Sequence, residues 1–387
     1  MDKKKVGICT VFTGYNYGSS LQAYATKKIL TNLGYEPSLL KLKGSLVAGR
    51  DIRFKKLFTI ATRSILHRQG IKNFKKYKNS LNKKLSWQSK VAFNSFVNDY
   101  LRPDYFSYSK LKKVANGDEY FAFLCGSDQV WNGAVYYVDP FYYLRFAPFD
   151  KRIAFAPSFG RDAVSKYNKK KIAKYVSAIK YKSVREETGK TIVKDLTGAD
   201  CDLLLDPTLA ISKQEWIEDF VDEQNAIDEK YMVAYFLDEP SEKAIIAIEK
   251  ISKETGLKVI TLPYKLDGLK DKEFYNAGPK EFINLMKNAS FVCTDSFHGT
   301  AFSINFNLPF YAFERNYGAS DSQSSRIKSI LTLTKLLDRY EPEVIDDYLN
   351  ISFDNANAYL DKERKHSKEF LINALGEELI NNSKQSK

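Results

Sequence analysis

Residues 291–304 read Phe-Val-Cys-Thr-Asp-Ser-Phe-His-Gly-Thr-Ala-Phe-Ser-Ile. Phe291–Thr294 is a short apolar run suited to a buried strand, 295–299 is a polar turn, and Thr300–Asn307 has the spacing of a helix. Strand, polar turn and helix together form the repeating unit of an open α/β sheet, whose ligands bind beyond the carboxyl ends of the strands. His298 stands in this turn and is one of three histidines in 387 residues. Gly299 permits close approach of the backbone, and Asp295 is near enough in sequence to orient the imidazole. A helix N-terminus disfavours imidazolium whereas Asp295 favours it, so the pattern marks an acid–base candidate without fixing its charge.

The same unit recurs on both sides. Upstream, Val6–Phe12, Glu36–Leu42, Tyr120–Cys125, Arg152–Ala156, Tyr181–Arg185 and Cys201–Leu205 read as strands, with helices over Ser19–Leu33 and Lys166–Ile179. A polar, acidic stretch at 212–230 separates these from a second series. That series has strands Tyr231–Leu237, Lys258–Leu262, Phe291–Thr294 and Pro309–Phe313, and helices Ser241–Thr255, Lys280–Asn288 and Thr300–Asn307. Residues 322–387 read as helical and charged. The expected architecture is α/β, with two Rossmann-like domains facing a cleft: an N-terminal domain over 1–212, a C-terminal domain over 229–345 and a helical segment over 346–387. A chain of 387 residues exceeds the usual size of a single core, which agrees with two domains.

Composition narrows the classes. Hydrophobic residues make up 44% of the chain, enough for globular cores, and no apolar run approaches the ~18–20 residues of a membrane span. Val6–Phe12 is too short and mixed for a signal-peptide core, so a cytoplasmic protein is expected. Cys9, Cys125, Cys201 and Cys293 lie far apart with no metal-ligand spacing, and read as reduced thiols without a disulfide frame or metal. The net charge of +13 is concentrated: residues 41–90 hold fifteen Lys/Arg and one acid, Asp51. Helical spacing runs through Phe54, Leu57, Ala61 and Ile65, and again through Ile71, Phe74, Lys78, Leu81 and Leu85. This segment is either a solvated helical face or a surface for anionic membrane or lipid phosphate. No nucleic-acid motif accompanies the charge.

Four more strand ends carry polar turns. Thr13–Ser20 places Asn16, Tyr17 and Gly18 before a helix whose N-terminus suits an anion, yet it matches neither the dinucleotide fingerprint nor the P-loop. Ser127, Asp128 and Gln129 after Tyr120–Cys125 suit hydrogen bonding to a polyhydroxylated ligand, or a locally bonded turn. Arg161 and Arg185 end two further strands. Each suits a phosphate or carboxylate, or else pairs with a neighbouring acid: Asp162, Glu186 or Glu187. No serine-nucleophile elbow is present.

In this order, Tyr15–Ala25 (YNYGSSLQAYA), Gly126–Asn132 (GSDQVWN), Ser158–Arg161 (SFGR), Ser183–Gly189 (SVREETG), Asp206–Thr208 (DPT) and Thr294–Gly299 (TDSFHG) resemble the polysaccharide pyruvyl transferase family. The resemblance implies a fold like that of GT-B glycosyltransferases. It also implies transfer of a pyruvyl group from phosphoenolpyruvate to a sugar of a cell-surface glycan or its lipid-linked precursor, forming a cyclic ketal. His298 would be the acid–base group, oriented by Asp295. Arg185 and Arg161 would hold the donor near Ser296 and Gly299. Asn16, Tyr17, Gly18, Ser127, Asp128 and Gln129 would hold the acceptor. No cofactor or metal is called for. Many members carry an arginine two residues before the histidine where this chain has Ser296, so Arg315, Arg326 or Lys328 is expected to supply that charge. The alternatives are a GT-B-like glycosyltransferase using a nucleotide sugar, and a non-catalytic glycan- or membrane-binding relative.

Overall fold

The computed structural model describes residues 3–43, 54–66, 85–220, 227–315, 325–346 and 348–376. The first sheet contains β1 (Lys5–Cys9), β2 (Glu36–Leu42), β3 (Asp104–Phe106), β4 (Ala122–Cys125), β5 (Arg152–Ala154), β6 (Tyr181–Val184) and β7 (Asp202–Leu203). The second contains β8 (Tyr231–Tyr235), β9 (Lys258–Leu262), β10 (Glu273–Phe274), β11 (Phe291–Thr294) and β12 (Phe310–Ala312). The strand orders are β3-β2-β1-β4-β5-β6-β7 and β10-β9-β8-β11-β12, with every pairing parallel. Burial on both faces explains the near-continuous apolar runs of β4, β8 and β11. Edge strands β3 and β10, of three and two residues, are too short for sequence periodicity to reveal.

In chain order the helices are α1 (Tyr17–Asn32), α2 (Phe54–Leu66), α3 (Trp87–Phe96), α4 (Tyr108–Ala115), α5 (Lys166–Val176), α6 (Glu187–Thr197), α7 (Pro207–Ala210), α8 (Lys213–Phe220), α9 (Glu242–Thr255), α10 (Pro279–Asn288), α11 (Phe297–Phe306), α12 (Ser325–Leu333) and α13 (Asp354–Leu375). Most anticipated elements shorten by one to three residues, because apolar side chains at strand ends, such as Phe12, Phe155 and Phe236, stay buried after the backbone has left the ladder.

An aromatic core joins the two sheets' domains. The ring of Tyr17 stacks on Phe93 (5.0 Å) and Phe282 (4.7 Å) and meets Tyr235 edge-on (5.6 Å), and its hydroxyl donates to Ala277 O at 3.0 Å. Trp216 of α8 meets Phe302 of α11 at 5.2 Å. Helix α13 returns from the second domain to the first. Tyr35 donates to Leu375 O (3.2 Å), and Arg364 donates to Leu209 O (3.0 Å) and to Asn305 Oδ1 (2.8 Å). The segment after 346 thus packs as part of the two-domain body in its described portion, and 377–387 lies outside the described residues.

Of the basic segment, α2 is described. It buries no residue and exposes Phe54, Leu57, Phe58, Ile65 and Leu66. Ile71, Phe74, Lys78 and Leu81 lie outside the described residues, and Leu85 is buried. Among the described residues no helix is long and apolar enough to cross a membrane, and no three His, Cys, Asp or Glu side chains gather as a metal site.

Candidate active site

Strand order reverses between β1 and β4 in the first sheet and between β8 and β11 in the second. Crevices at such reversals are the ligand sites of open α/β sheets, and here the two face each other. The first domain contributes the loop into α1, where Asn16 Oδ1 caps the helix by accepting from Ser19 N at 3.1 Å, and the loop after β4 with Ser127 and Asp128. The second contributes Leu237 and Asp238 after β8, and Asp295–His298 after β11.

His298 lies in the first turn of α11 rather than in the turn before it. Ser296 is extended (φ −102°, ψ 130°) and its hydroxyl accepts from Gly299 N at 3.4 Å, so the helix begins at Phe297, three residues earlier than apolar spacing predicts. Gly299 is required there: a Cβ would lie 2.3 Å from Thr294 Oγ1 and 2.9 Å from the Tyr235 ring. The imidazole is 6% exposed and lies against Gly18 of the other domain, where a Cβ would stand 1.9 Å from Nδ1. Its Nε2 is buried without a hydrogen-bond partner and lies 4.0 Å from Asp206 Oδ1. Burial pushes the His298 pKa down to about 4; Asp206 opposes this, and Arg185 and Arg326 add to it. The N-terminal end of α11 acts in the same direction. The ring is therefore neutral at neutral pH.

Asp206 is the carboxylate beside that ring. It caps α7, accepting from Thr208 N (2.9 Å) and Thr208 Oγ1 (2.6 Å) at Oδ1, and from Ser127 Oγ (2.7 Å) and the Arg185 guanidinium at Oδ2. Burial opposes its ionisation, but Arg185, His298, Thr208 and Ser127 outweigh burial and hold it well below the usual carboxylate range. Arg185, its side chain 1% exposed, also donates to Ser127 Oγ (3.2 Å) and stands 3.9 Å from Asp128 and 3.8 Å from Glu186. Glu186 in turn accepts from Ser158 Oγ (2.9 Å) and Phe159 N (2.8 Å). Arg185 and Arg326 both lie over the Phe297 ring, at 4.7 and 5.7 Å from its centroid. Burial and the charge of Arg185 lower the Arg326 pKa to about 10, still fully cationic at neutral pH.

The remaining anticipated residues divide. Asp295 does not reach the imidazole. Its carboxylate accepts from Leu237 N (2.7 Å), Asp238 N (3.0 Å) and Arg315 Nε (3.1 Å), because β8 ends directly beside β11 and presents its free amides there. Burial raises its pKa against the pull of Arg315 and those amides. Tyr17 is 1% exposed inside the interdomain aromatic core and presents nothing to an acceptor. Asp128 adopts a left-handed backbone (φ 76°) and accepts from Ser19 Oγ and Gln129 N, linking the β4 loop to α1. Arg161 is half-buried on the loop after β5. Lys328 stands over Tyr340 at 5.1 Å, away from the histidine, whereas Arg326 lies beside Phe297. Residues 316–324, between Arg315 and α12, lie outside the described residues.

Sequence reading gave Glu186 local pairing with an arginine and named Asp206 only within the Asp206–Thr208 motif. The signal available for Asp206 was its place before Pro-Thr at a strand end; its nearness to a histidine 92 positions away depends on the docking of the two domains.

The fold is shared with sugar-nucleotide enzymes. The UDP-GlcNAc 2-epimerase of Neisseria meningitidis, solved with UDP-GlcNAc bound, superposes with a TM-score of 0.50 at 10% identity, covering 96% of this chain and all of that one. The Methanocaldococcus jannaschii UDP-GlcNAc 2-epimerase, solved with UDP-GlcNAc and UDP, gives 0.49 at 11% identity over 90% of this chain and 94% of that one. At 10% identity the first of these likenesses establishes the two-domain GT-B-like fold alone. No curated protein sequence matches the chain. The model of the polysaccharide pyruvyl transferase family matches residues 16–317, a span running from the Asn16 cap through Ser127, Arg185, Asp206 and His298 to Arg315, and the chain belongs to that family.

Proposed function

We propose that the protein transfers the pyruvyl group of phosphoenolpyruvate to two hydroxyls of a saccharide, forming a cyclic ketal and releasing phosphate. The observation that supports this most is the neutral, buried imidazole of His298 held among Arg185, Arg326 and Asp206 at the meeting of two crevices. In the donor complex the anionic phosphoenolpyruvate offsets the burial that disfavours imidazolium, and the ring binds a proton. The imidazolium delivers that proton to the methylene, which becomes the methyl group, as the hydroxyl oxygen bonds to the enol carbon, and the neutral imidazole left behind takes the proton of that hydroxyl. The second hydroxyl displaces phosphate, and its proton leaves with the phosphate. Asp206, 4.0 Å from Nε2, stabilises the imidazolium before the first transfer and after the second. Arg326 supplies the cation for the donor that Ser296 does not, while Arg185 is committed to Asp206 and sets the charge of the cluster.

The acceptor in this proposal is a cell-envelope glycan or its lipid-linked precursor, met by a cytoplasmic protein at the inner membrane face. The basic segment 41–90 provides the contact, and α2 exposes Phe54 (83%), Ile65 (77%) and Leu66 (75%) beside the exposed Lys55.

The test is phosphate release on incubation with phosphoenolpyruvate and free or lipid-linked saccharides, with a matching pyruvyl mass increment on the glycan. Phosphate release that needs the saccharide is expected; its absence across saccharide classes would overturn the proposal. Thermal shift by nucleotide sugars and none by phosphoenolpyruvate would favour the glycosyltransferase alternative. Vesicle binding that requires anionic lipid and weakens with salt is expected for the membrane contact, and salt-insensitive binding counts against it.

A further inference from the structure

A second cavity opens on the same carboxyl edge of the first sheet, on the far side of the β1 loop from His298. Its volume is about 490 Å³, within the range of small-molecule sites. The walls are Phe12, Leu40, Leu42 and Phe141, and Leu57 and Ile60 of α2 form its roof. The polar groups are few. Lys56 stands 3.8 Å from Asp139, and that pair is closed on itself. Lys41 is different: its ammonium lies over Phe12 (5.4 Å) and Tyr105 (5.6 Å), with no carboxylate or hydrogen-bond acceptor among the described residues. Burial lowers its pKa, which is the direction expected of a cation withdrawn from water without an anion to replace it.

We infer that this cavity binds the acceptor's carrier, an amphiphile with one phosphate-type anion and an aliphatic chain, as in a lipid-linked saccharide phosphate. Lys41 holds the anion, and the chain lies between the apolar walls and α2. Leu57 both lines the cavity and is 50% exposed, so apolar surface reaches from the cavity to the outer face of α2 at this residue. A chain leaving a bilayer at α2 meets the cavity there. At the other end, Thr10–Thr13 line the cavity and run directly into the loop that ends at Gly18, against His298. An anion at Lys41 is therefore joined to the cleft by the β1 loop, along which its saccharide is directed. The assignment rests on the transferase proposal above and adds to it how the acceptor is recruited.

Calorimetric titration of the full chain tests it, using dodecyl phosphate below its micellar concentration, dodecyl maltoside (the same chain without the anion) and inorganic phosphate (the anion without the chain). One dodecyl phosphate per chain is expected, with the other two probes weaker by about tenfold or more. Lys41→Met should bring dodecyl phosphate down to the level of the maltoside. Ile60→Trp, which fills the cavity, should abolish binding of both amphiphiles, with the thermal midpoint recording that each variant is folded. A dodecyl phosphate diester carrying one hexose should bind at least as tightly as dodecyl phosphate, and rejection of it would exclude a saccharide carrier. Equal binding by Lys41→Met, inorganic phosphate as tight as dodecyl phosphate, or several amphiphiles per chain would overturn the inference. If wild-type protein binds no dodecyl phosphate yet releases phosphate with a water-soluble saccharide, only this inference falls. If no saccharide supports phosphate release, the transferase proposal itself falls.

Discussion

The His298 cleft and the Lys41 cavity lie on one sheet edge and share the β1 loop, yet they are built in opposite ways. In the cleft, charges are buried together: Arg185 faces Asp206, Asp128 and Glu186, each carboxylate accepts further hydrogen bonds, and Gly18 lets the imidazole close on the opposite domain. In the cavity the walls are apolar, the volume is open, and one lysine faces them without an anion. The difference is the one expected between the proposed catalytic cleft and the proposed recruiting cavity. Chemistry needs groups of fixed charge held in place before the reaction begins, whereas capture of a flexible amphiphile needs room, an apolar wall and one charge.

The sharpest way to break this contrast is His298→Ala. Turnover should fall by about 10²–10⁴-fold, the range for a general acid–base group, with a cooperative thermal transition recording that the variant is folded. Full activity in that variant would remove the cleft as the reaction centre.

Next in size is a paired measurement of stability. Arg185→Met leaves Asp206 buried beside two other carboxylates and should cost about 3–5 kcal/mol in urea unfolding. Lys41→Met removes a cation with no carboxylate partner and should stay within about 0.5 kcal/mol. Similar values for the two would erase the distinction between a satisfied network and a waiting charge.

Gly18→Ala places a methyl 1.9 Å from His298 Nδ1 and should cost about 1–3 kcal/mol, with loss of activity as the ring is displaced. An unaffected enzyme would mean that the two domains do not close there during turnover.

The smallest effect is in pH dependence. The folded-state His298 pKa of about 4 lies below the ordinary 6.5, so the unfolded chain binds the proton first. Its contribution to stability is complete above about pH 6.5 and is lost as pH falls toward 4. Asp206, held below its ordinary value, adds a further loss below about pH 4. Wild type should lose unfolding free energy relative to His298→Gln as pH falls from 7 to 4. A difference independent of pH would show that the imidazole is not buried neutral.

The amount legible in the sequence followed the range of the forces involved. β2, β9 and β11 appear with the boundaries that their apolar runs mark, since a strand buried on both faces needs little beyond its own composition. The start of α11 was misplaced because its signal is a single capping hydroxyl, Ser296, rather than a periodic pattern. Asp295 was assigned to the wrong partner for a related reason. Two residues separate it from His298 in sequence, but a strand end turns successive side chains apart, and the free amides after β8 were the nearer attraction.

The sequence by itself determined the alternating α/β order, the two-domain division, the concentration of charge in 41–90 and the family to which the chain belongs. Each of these is written in local composition or in short ordered motifs. Only the tertiary structure decided that Asp206 rather than Asp295 attends His298, that Arg185 is committed to carboxylates, that Tyr17 is core, and that Lys41 faces a cavity. These are facts about which strand ends meet when two domains dock. Docking is driven by non-directional burial of rings such as Tyr17, Phe93, Phe282 and Phe302, which no local pattern encodes.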